Sequence, residues 1–400
     1  MRVHTRRMHH DRSYHLVLFG ATGFTGGLTA EYLARHAPIG LRWALAGRNP
    51  AKLAAVRDRL ADIDPALAEL PLLAADVTDA ASLQAVADSA RVVATTVGPY
   101  VHHGEPLVAA CAAAGTDYVD ITGEPEFVDL MYVRHHAEAV RSGARLVHAC
   151  GFDSIPHDLG VWYTLKQLPT DGPVTVDGFV RAHGRFSAGT YHSALTAFSR
   201  TTEASRAAKA RRAVEPRPAG RQVRAVPGRV GWSKEIGRWA VPLPTIDPQV
   251  VRRSAAARPE YGPDFRYRHF AAVKRLPTVL AAGVGMAGLV GLVKLPPTRR
   301  WLLDRHAFGQ GPSAEERARS WFTVRFVGSA GGRTVQTEVA GGDPGYDETA
   351  KMLAESALCL ALDELPPTSG QVTPVTAMGD VLLGRLVAAG LTFRVLARRG

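Results

Sequence analysis

Short apolar runs alternate with amphipathic segments through the first third of the chain. The runs have the length of buried strands and predict strands at 14–19, 41–46, 72–75, 91–96, 117–121 and 145–149. Helical spacing between them predicts helices at 28–35, 51–60, 80–90, 105–114 and 125–141. Strands joined by helical crossovers pair in parallel, with helices on both faces. We therefore predict an α/β fold with a Rossmann-type, doubly wound parallel sheet.

The pattern changes after residue 155. Long helical and irregular stretches now separate the strand-like segments, which lie at 174–180, 322–327 and 333–339. This spacing predicts an α+β second domain with a largely antiparallel sheet, one face of which closes over a cofactor bound to the first domain. Helices predicted at 346–362 and 378–391 are expected to dock back on the first domain. The predicted division is therefore 14–155, 156–345 and 346–400, after a disordered basic tail at 1–13 that lacks the apolar region of a secretion signal.

Three glycines follow the first predicted strand and precede the first predicted helix. Glycine lets a backbone turn sharply and approach a ligand closely, and the N–H groups that begin a helix attract anions. The segment therefore predicts a cradle for a dinucleotide's diphosphate, although a tight turn without a ligand is the alternative. The residues expected to form this cradle are Gly20, Thr22, Gly23, Phe24, Thr25 and Gly26.

The end of the second predicted strand indicates which dinucleotide is bound. An NAD-binding protein normally places Asp or Glu there to hold the ribose hydroxyls, but this chain has Arg48 followed by Asn49. A guanidinium can pair with a 2′-phosphate, so we expect the coenzyme to be NADP(H). The alternative is that Arg48 is a solvated surface arginine with no coenzyme contact. Asp76, after the third strand, is expected either to receive the adenine amino group or to cap the next helix. Gly98 and Pro99, after the fourth strand, are expected to border the nicotinamide.

Proton donors and positioning groups for hydride transfer are sought at the same strand ends. Tyr100 follows the fourth strand, and Asp153, Ser154 and His157 follow the sixth. Tyr100 and His157 are candidate proton donors, and Asp153 and Ser154 are candidates for positioning the substrate or the cofactor amide; each residue has a structural alternative. No tyrosine is followed by lysine four positions later, which argues against the short-chain dehydrogenases.

Composition and charge limit the classes of molecule that the chain is expected to bind. The chain has 400 residues, three cysteines and a net charge of +11; 18 Lys and Arg face six acids between 200 and 275, so this window carries +12. Such a field favours an acidic carrier protein, a coenzyme-A-type thioester or an anionic lipid surface, and the alternative is a solvated basic loop, with 214–229 exposed. No nucleic-acid-binding or metal-binding motif is present, so we expect neither partner. The unpaired cysteines are typical of a cytoplasmic protein.

An uncharged apolar segment lies at 279–293, flanked by basic residues. It is shorter than the roughly twenty residues that a membrane span requires. Small residues at four-residue spacing favour a buried helix, while the basic flanks also fit shallow membrane attachment; a span is the third possibility.

Five ordered motifs resemble the saccharopine dehydrogenase-like oxidoreductases, and the subgroup they resemble most is the trans-acting enoyl reductases. They are Gly20-Ala-Thr-Gly-Phe-Thr-Gly26, Ala46-Gly-Arg-Asn49, Val97-Gly-Pro-Tyr100, Tyr118-Val-Asp-Ile-Thr-Gly-Glu124 and Gly151-Phe-Asp-Ser-Ile-Pro156. The resemblance implies a saccharopine-reductase-like second domain and NADPH-dependent reduction of a polyketide or fatty-acyl double bond presented by a separate synthase in glycolipid synthesis. Peripheral contact with the plasma membrane and a homodimer are further expectations. Saccharopine- or imine-type dehydrogenation and a non-catalytic, lipid-associated adaptor are the alternatives.

Overall fold

The computed structural model describes residues 12–184, 199–278 and 311–399, together with Gly285, Leu292 and Thr298. Two sheets organise these residues. The strands are β1 Tyr14–Phe19, β2 Trp43–Gly47, β3 Leu72–Ala74, β4 Ala90–Thr95, β5 Asp117–Asp120, β6 Arg145–Val147, β7 Val174–His183, β8 Gln222–Ala225, β9 Gly231–Ser233, β10 Arg238–Pro242, β11 Asp264–Val273, β12 Trp321–Ala330, β13 Arg333–Gly341, β14 Gly370–Val372 and β15 Thr392–Arg399.

The α-helices lie between these strands and pack against the sheets. They are α1 Phe24–His36, α2 Pro50–Ala61, α3 Ala80–Ser89, α4 Tyr100–His103, α5 Glu105–Ala114, α6 Pro125–Ser142, α7 Ile155–Leu165, α8 Thr201–Val214, α9 Asp247–Ala257, α10 Ala314–Ala318, α11 Asp347–Leu362, α12 Pro374–Ala377 and α13 Gly379–Ala388. Short 3₁₀ turns at Pro65–Glu69 and Pro259–Tyr261 complete the described elements.

The first sheet is parallel and doubly wound, as predicted. Its strand order is β14-β6-β5-β4-β1-β2-β3, and all the pairings within it are parallel. The central strands are apolar along their length because helices cover both faces; Leu16, Val17 and Leu18 of β1 have no exposed surface. The order reverses beside β1, where β4 and β2 lie on opposite sides. Ligands of such sheets bind at the carboxyl ends of the strands near this reversal.

The second sheet is mixed and mainly antiparallel. Its order is β15-β13-β12-β7-β11-β10-β9, with β8 also pairing with β11. The pairs of β11 with β7 and with β8 are parallel, and the others are antiparallel. Helix α7, which follows the first sheet, packs on β12 and β13. An α+β second unit is therefore present.

The C-terminal segment differs from the predicted pair of docking helices. Helix α11 packs on α1, β1, β4 and β5, on the first sheet. Two strands were not predicted: β14 pairs with β6 at the edge of the first sheet, and β15 pairs with β13 at the edge of the second. β14 has only three residues and shows no period, whereas β15 does alternate Phe393, Val395 and Ala397 with mostly polar positions, a strand pattern that was not used. The segment beyond residue 346 thus completes both sheets.

The basic window at 200–275 is folded, contrary to the loop alternative. It contains α8, α9 and four strands, and β8 lies inside the stretch 214–229 that was predicted to be an exposed loop. Part of its charge is internally paired: Arg211 contacts Asp129 and Glu215, and the Arg253 Nε donates to Glu215 at 2.7 Å. The prolines of 214–229, and its arginines other than Arg224, lie in the loops on either side of β8.

Two predicted segments lie mostly outside the described residues. The tail at 1–13 is described only from Arg12, whose guanidinium donates to the carbonyls of Ala87 and Ala114 at 3.0 and 2.7 Å, so its last two residues are packed and not disordered. Of the apolar segment 279–293 only Gly285 and Leu292 are described. Within the described ranges, no helix has the length and apolar character needed to cross a membrane.

A buried ion pair holds two neighbouring strands of the first sheet. The Arg145 side chain on β6 donates through Nε to Asp117 of β5 at 2.9 Å, and both side chains are nearly inaccessible. Replacing Arg145 with Met leaves the Asp117 charge buried without its partner. We expect R145M to lower the free energy of unfolding by about 3–5 kcal/mol, measured by urea denaturation.

The matched control is the exposed Arg141–Glu138 pair on α6. R141M removes an ion pair in water and should change the free energy of unfolding by less than about 0.5 kcal/mol. Equal effects of R145M and R141M would contradict the role given to the buried pair.

Candidate functional site

The glycine turn joins β1 to α1 at the carboxyl edge of the first sheet. Gly23 is the N-cap of α1, so the first turn of this helix has no side-chain cap, and no acidic residue lies in that turn. The N–H groups of a first helical turn have no acceptor within the helix. Thr22 and Gly23 are exposed at the turn, with Phe24 and Thr25 half-buried beside them. The arrangement suits an anion placed against the start of α1.

Two of the glycines are required by close contacts. Gly20 has a φ of +96°, a conformation that side chains disfavour. A Cβ on Gly26 would lie 2.2 Å from the Gly20 carbonyl oxygen and 2.7 Å from the Thr96 Oγ1. The Thr96 hydroxyl in turn donates to that carbonyl at 3.2 Å. The backbone therefore lies bare at the start of α1, and the turn fits a diphosphate.

The adenosine end of the predicted site lies at the ends of β2 and β3. Arg48 is exposed beyond β2, and the Asn49 Oδ1 accepts from the Lys52 N–H at 3.0 Å, which caps α2. Hydrogen bonds from the Thr78 N–H and hydroxyl lower the pKa of Asp76, and Arg48 contributes to the same shift. The cap of the next helix is Asp79, so the alternative role expected for Asp76 is wrong. Arg48 and Asp76 thus share one edge.

Tyr100, a candidate proton donor, is enclosed, and its hydroxyl is already engaged by two backbone groups. Its hydroxyl donates to the Thr95 carbonyl at 3.1 Å and accepts from the Ile121 N–H at 3.3 Å. The side chain is buried, and burial together with the Asp120 carboxylate raises the pKa of Tyr100 well above its usual value. The Tyr100 hydroxyl ties the ends of β4 and β5 together instead. Gly98 and Pro99 precede it and remain at the edge, joined by a cis peptide bond.

The three candidates after β6 separate into one accessible and two enclosed residues. Asp153 is half-buried, and a Cβ on Gly123 would lie 2.6 Å from its Oδ2, so it reaches the loop after β5. Burial and the Asp247 carboxylate raise the pKa of Asp153 to about 6, against the effect of His157. Ser154 has no exposed surface, and His157 is 2% exposed and points away toward Asp247. In this structure, direct contact of His157 with a substrate is excluded by its burial.

A buried carboxylate at the end of β5 organises the loop after β6; this residue, Asp120, lies within the motif Tyr118–Glu124 but was not among the predicted site residues. The Asp120 Oδ2 contacts the His148 Nδ1 at 2.7 Å and accepts from the Tyr118 hydroxyl at 3.0 Å. Its Oδ1 accepts from the Ala149 N–H at 2.9 Å. Ala149 has a φ of +61°, a strained conformation typical of residues whose surroundings fix a functional loop. Asp120 therefore holds the loop that carries Asp153.

Comparisons with known proteins agree with this geometry. The sequence of residues 16–147 matches the protein family described as the saccharopine dehydrogenase NADP binding domain. A candidate trans-acting enoyl reductase of Mycobacterium tuberculosis is 40% identical over 96% of this chain and 97% of its own length. The trans-acting enoyl reductase of Mycobacterium bovis is 38% identical over 95% of this chain and 97% of its own length. The solved saccharopine dehydrogenase (L-Glu forming) of Saccharomyces cerevisiae shares the fold, with a TM-score of 0.55, 13% identity and coverage of 96% of this chain and 99% of that one.

The fold and the matched NADP-binding domain define an NADP(H)-dependent oxidoreductase. The bare glycine turn and Arg48 are the features of this chain that suit the cofactor. More narrowly, the chain belongs to the trans-acting enoyl reductases of the saccharopine dehydrogenase-like family. The resemblance drawn from the five motifs is confirmed, and so are the fold class and the cofactor.

The contact between Gly26 and Gly20 predicts a sharp difference between two neighbouring substitutions. G26A forces the helix start away from the Gly20 carbonyl and should weaken NADPH binding at least about tenfold. In G27A the nearest atom to the new Cβ is 3.7 Å away, so binding should stay within about twofold. Calorimetric titration of both variants, with circular dichroism to verify folding, measures the difference. Equal affinities in folded G26A and G27A would refute the assignment.

Arg48 predicts the preference between the two coenzymes. R48A removes charge-assisted contacts worth about 1.5–3 kcal/mol, so NADPH should bind roughly ten- to a hundredfold more weakly while NADH binding is nearly unchanged. R35A is the control, since Arg35 is an exposed arginine of α1 paired with Glu31. Dissociation constants for both coenzymes give the answer, and a parallel loss of NADPH and NADH affinity would remove Arg48 from the 2′-phosphate site.

Proposed function

We propose that this chain reduces the carbon–carbon double bond of an enoyl thioester carried by a separate synthase. The observation that carries the proposal is full-length similarity to trans-acting enoyl reductases combined with the bare glycine turn at the edge of the first sheet. NADPH, when bound, supplies a hydride to the β-carbon. The α-carbon then takes a proton, and the product is the saturated thioester.

The chain's own residues hold the coenzyme, supply the proton and position the proton donor. The turn at Gly20–Gly26 holds the diphosphate, and Arg48 selects the 2′-phosphate. Gly98 and Pro99 border the nicotinamide. We assign proton donation to Asp153, because Tyr100 and His157 are enclosed and Asp153 is half-buried at the end of β6. Asp120 positions the loop that carries Asp153 through the Ala149 N–H.

A cationic groove on the second sheet supports delivery by an anionic carrier. The groove has a volume of about 470 Å³ and is lined by residues that include Arg181, Arg238, Lys274 and Trp321. The Arg181 guanidinium lies 5.1 Å from the Trp321 ring centroid, and burial together with Arg238 lowers the pKa of Arg181. The neighbouring Glu338 carboxylate is paired with Arg325 and Arg394 instead of with these cations. A phosphopantetheine phosphate and an acidic carrier surface match this charge.

The setting of the reaction belongs to the same proposal. A polyketide- or lipid-type synthase is the partner, the pathway makes lipids or glycolipids, and the chain works in the cytoplasm with peripheral contact to the plasma membrane. The basic window at 200–275 and the family resemblance support these assignments. A homodimer is compatible with them and is tested by light scattering.

Substrate turnover tests the reaction class. We expect NADPH oxidation with carrier-bound enoyl thioesters and release of the saturated product, detected by mass spectrometry. Saccharopine, and lysine with 2-oxoglutarate, should give no turnover above background. Turnover of saccharopine with inactivity on every enoyl thioester would overturn the proposal in favour of amino-acid dehydrogenation. Binding of NADPH without oxidation across the whole panel would favour a non-catalytic adaptor.

The groove gives a separate prediction about the carrier. The double variant R238A/K274A should lower kcat/KM for a carrier-bound substrate about tenfold and weaken its dependence on salt, while the dissociation constant of NADPH stays unchanged. R333A removes an exposed arginine from the β12–β13 hairpin and serves as the control. An unchanged kcat/KM in R238A/K274A would show that carriers do not use this groove.

A further inference from the structure

Three side chains from different elements meet beneath the loop that carries Asp153. They are His157 of α7, Asp247 at the start of α9 and His269 of β11. All three are buried, and the ligand atoms they offer lie within 4.8 Å of one another. The residues are distant in sequence, so no motif spacing marks them. They join the helix that follows the first sheet to the second sheet.

Four of the six polar side-chain atoms of this cluster have no hydrogen bond to another described residue. Among the described residues, the Nδ1 and Nε2 of His157, the Oδ1 of Asp247 and the Nε2 of His269 have no hydrogen-bond partner. The His157 Nδ1 and the Asp247 Oδ1 are 2.6 Å apart, yet their directions do not meet hydrogen-bond geometry. Leaving a buried polar atom unpaired costs about 1–3 kcal/mol, and such atoms are rare in native proteins. Several in one cluster indicate a missing common partner.

The separations within the cluster suit one small cation as that partner. Donor atoms that bind one ion at about 2.0–2.2 Å lie roughly 3.0–3.5 Å apart. Two measured pairs lie near this range, at 2.6 Å for the His157 Nδ1 with the Asp247 Oδ1 and 3.5 Å for the His269 Nε2 with the Asp247 Oδ2, and the ligand atoms of all three residues lie within 4.8 Å of one another.

The surroundings of His269 and Asp247 are those of oriented metal ligands. The Tyr267 hydroxyl lies 2.9 Å from the His269 Nδ1, so it can fix the ring and leave Nε2 for the ion. The Thr245 hydroxyl donates to the Asp247 Oδ2. Two imidazoles and a carboxylate form a donor set that binds Zn²⁺ and neighbouring first-row dications, and not the oxygen-only set that Ca²⁺ or Mg²⁺ prefers.

We propose that His157, Asp247 and His269 form a binding site for one first-row divalent metal ion, which ties α7, α9 and β11 together. The site is distinct from the coenzyme site, and its role is structural. The ion holds the base of the loop that carries Asp153, and its charge compensates the buried Asp247 carboxylate. This assignment does not depend on the proposed reaction.

The test uses full-length, untagged protein and Co²⁺ as a spectroscopic probe, with Zn²⁺ in competition. The wild-type chain should bind one Co²⁺ with visible absorption bands, release it to Zn²⁺, and unfold at a higher temperature when loaded. D247N and H269Q should each weaken binding at least about a hundredfold, because changing even an outer-shell partner costs ten- to a hundredfold. H135Q is the matched control. His135 is a half-buried residue of α6, and its Nε2 lies 3.2 Å from the Glu105 Oε1.

Two results would overturn the proposal. The first is wild-type protein that takes up no stoichiometric Co²⁺ or Zn²⁺, which would leave the cluster to buried water; this result does not depend on whether the variants fold. The second is Co²⁺ binding that persists in D247N and H269Q or disappears in H135Q, which would place the metal on the surface. Elemental analysis of the protein as purified provides an independent count of bound metal.

Discussion

The contact between the start of α1 and the end of β1 is the constraint on which the coenzyme site depends. A helix can approach a strand end this closely only where both backbones lack side chains, as at Gly20 and Gly26. The Thr96 hydroxyl joins the same carbonyl from the next strand, so β1, β4 and α1 meet at one oxygen atom. The N–H groups at the start of α1 are thereby held at the edge of the sheet, where an anion can bind. The rest of the first sheet fixes this junction.

Residues 14–155 alone do not complete the first sheet or cover it. β14 adds the edge strand to the first sheet after the chain has formed all but β15 of the second sheet, and α11 covers β1, β4 and β5. The Val375 N–H donates to the buried Asp158 of α7 at 3.0 Å, and the Ser254 and Thr373 hydroxyls meet beside it. The C-terminal segment thus links both sheets. Helix α7 therefore lies where the second sheet and the C-terminal segment meet.

The sequence predicted the parts of the fold that arise from local regularity. The alternation of apolar runs with helical segments was enough for the first sheet, and the glycine spacing was enough for the turn. β14 and β8 were missed because three or four residues of mixed polarity carry no period. Tyr100 and His157 were selected because they follow strands. Only the folded chain shows that the Tyr100 hydroxyl is hydrogen-bonded to the backbone of Thr95 and Ile121 and that the His157 side chain faces Asp247. Asp120 lies in one of the five motifs but was given no role, and His269 was not selected, because the partners His148 and Asp247 are distant in sequence.

The most direct test of the central claim is the structure of the chain with NADPH bound. The account predicts that the diphosphate oxygens accept hydrogen bonds from backbone N–H groups of residues 22–26, and that the 2′-phosphate lies within hydrogen-bond distance of the Arg48 guanidinium. A well-ordered coenzyme whose diphosphate lies away from the glycine turn, or whose 2′-phosphate has no contact with Arg48, would contradict it.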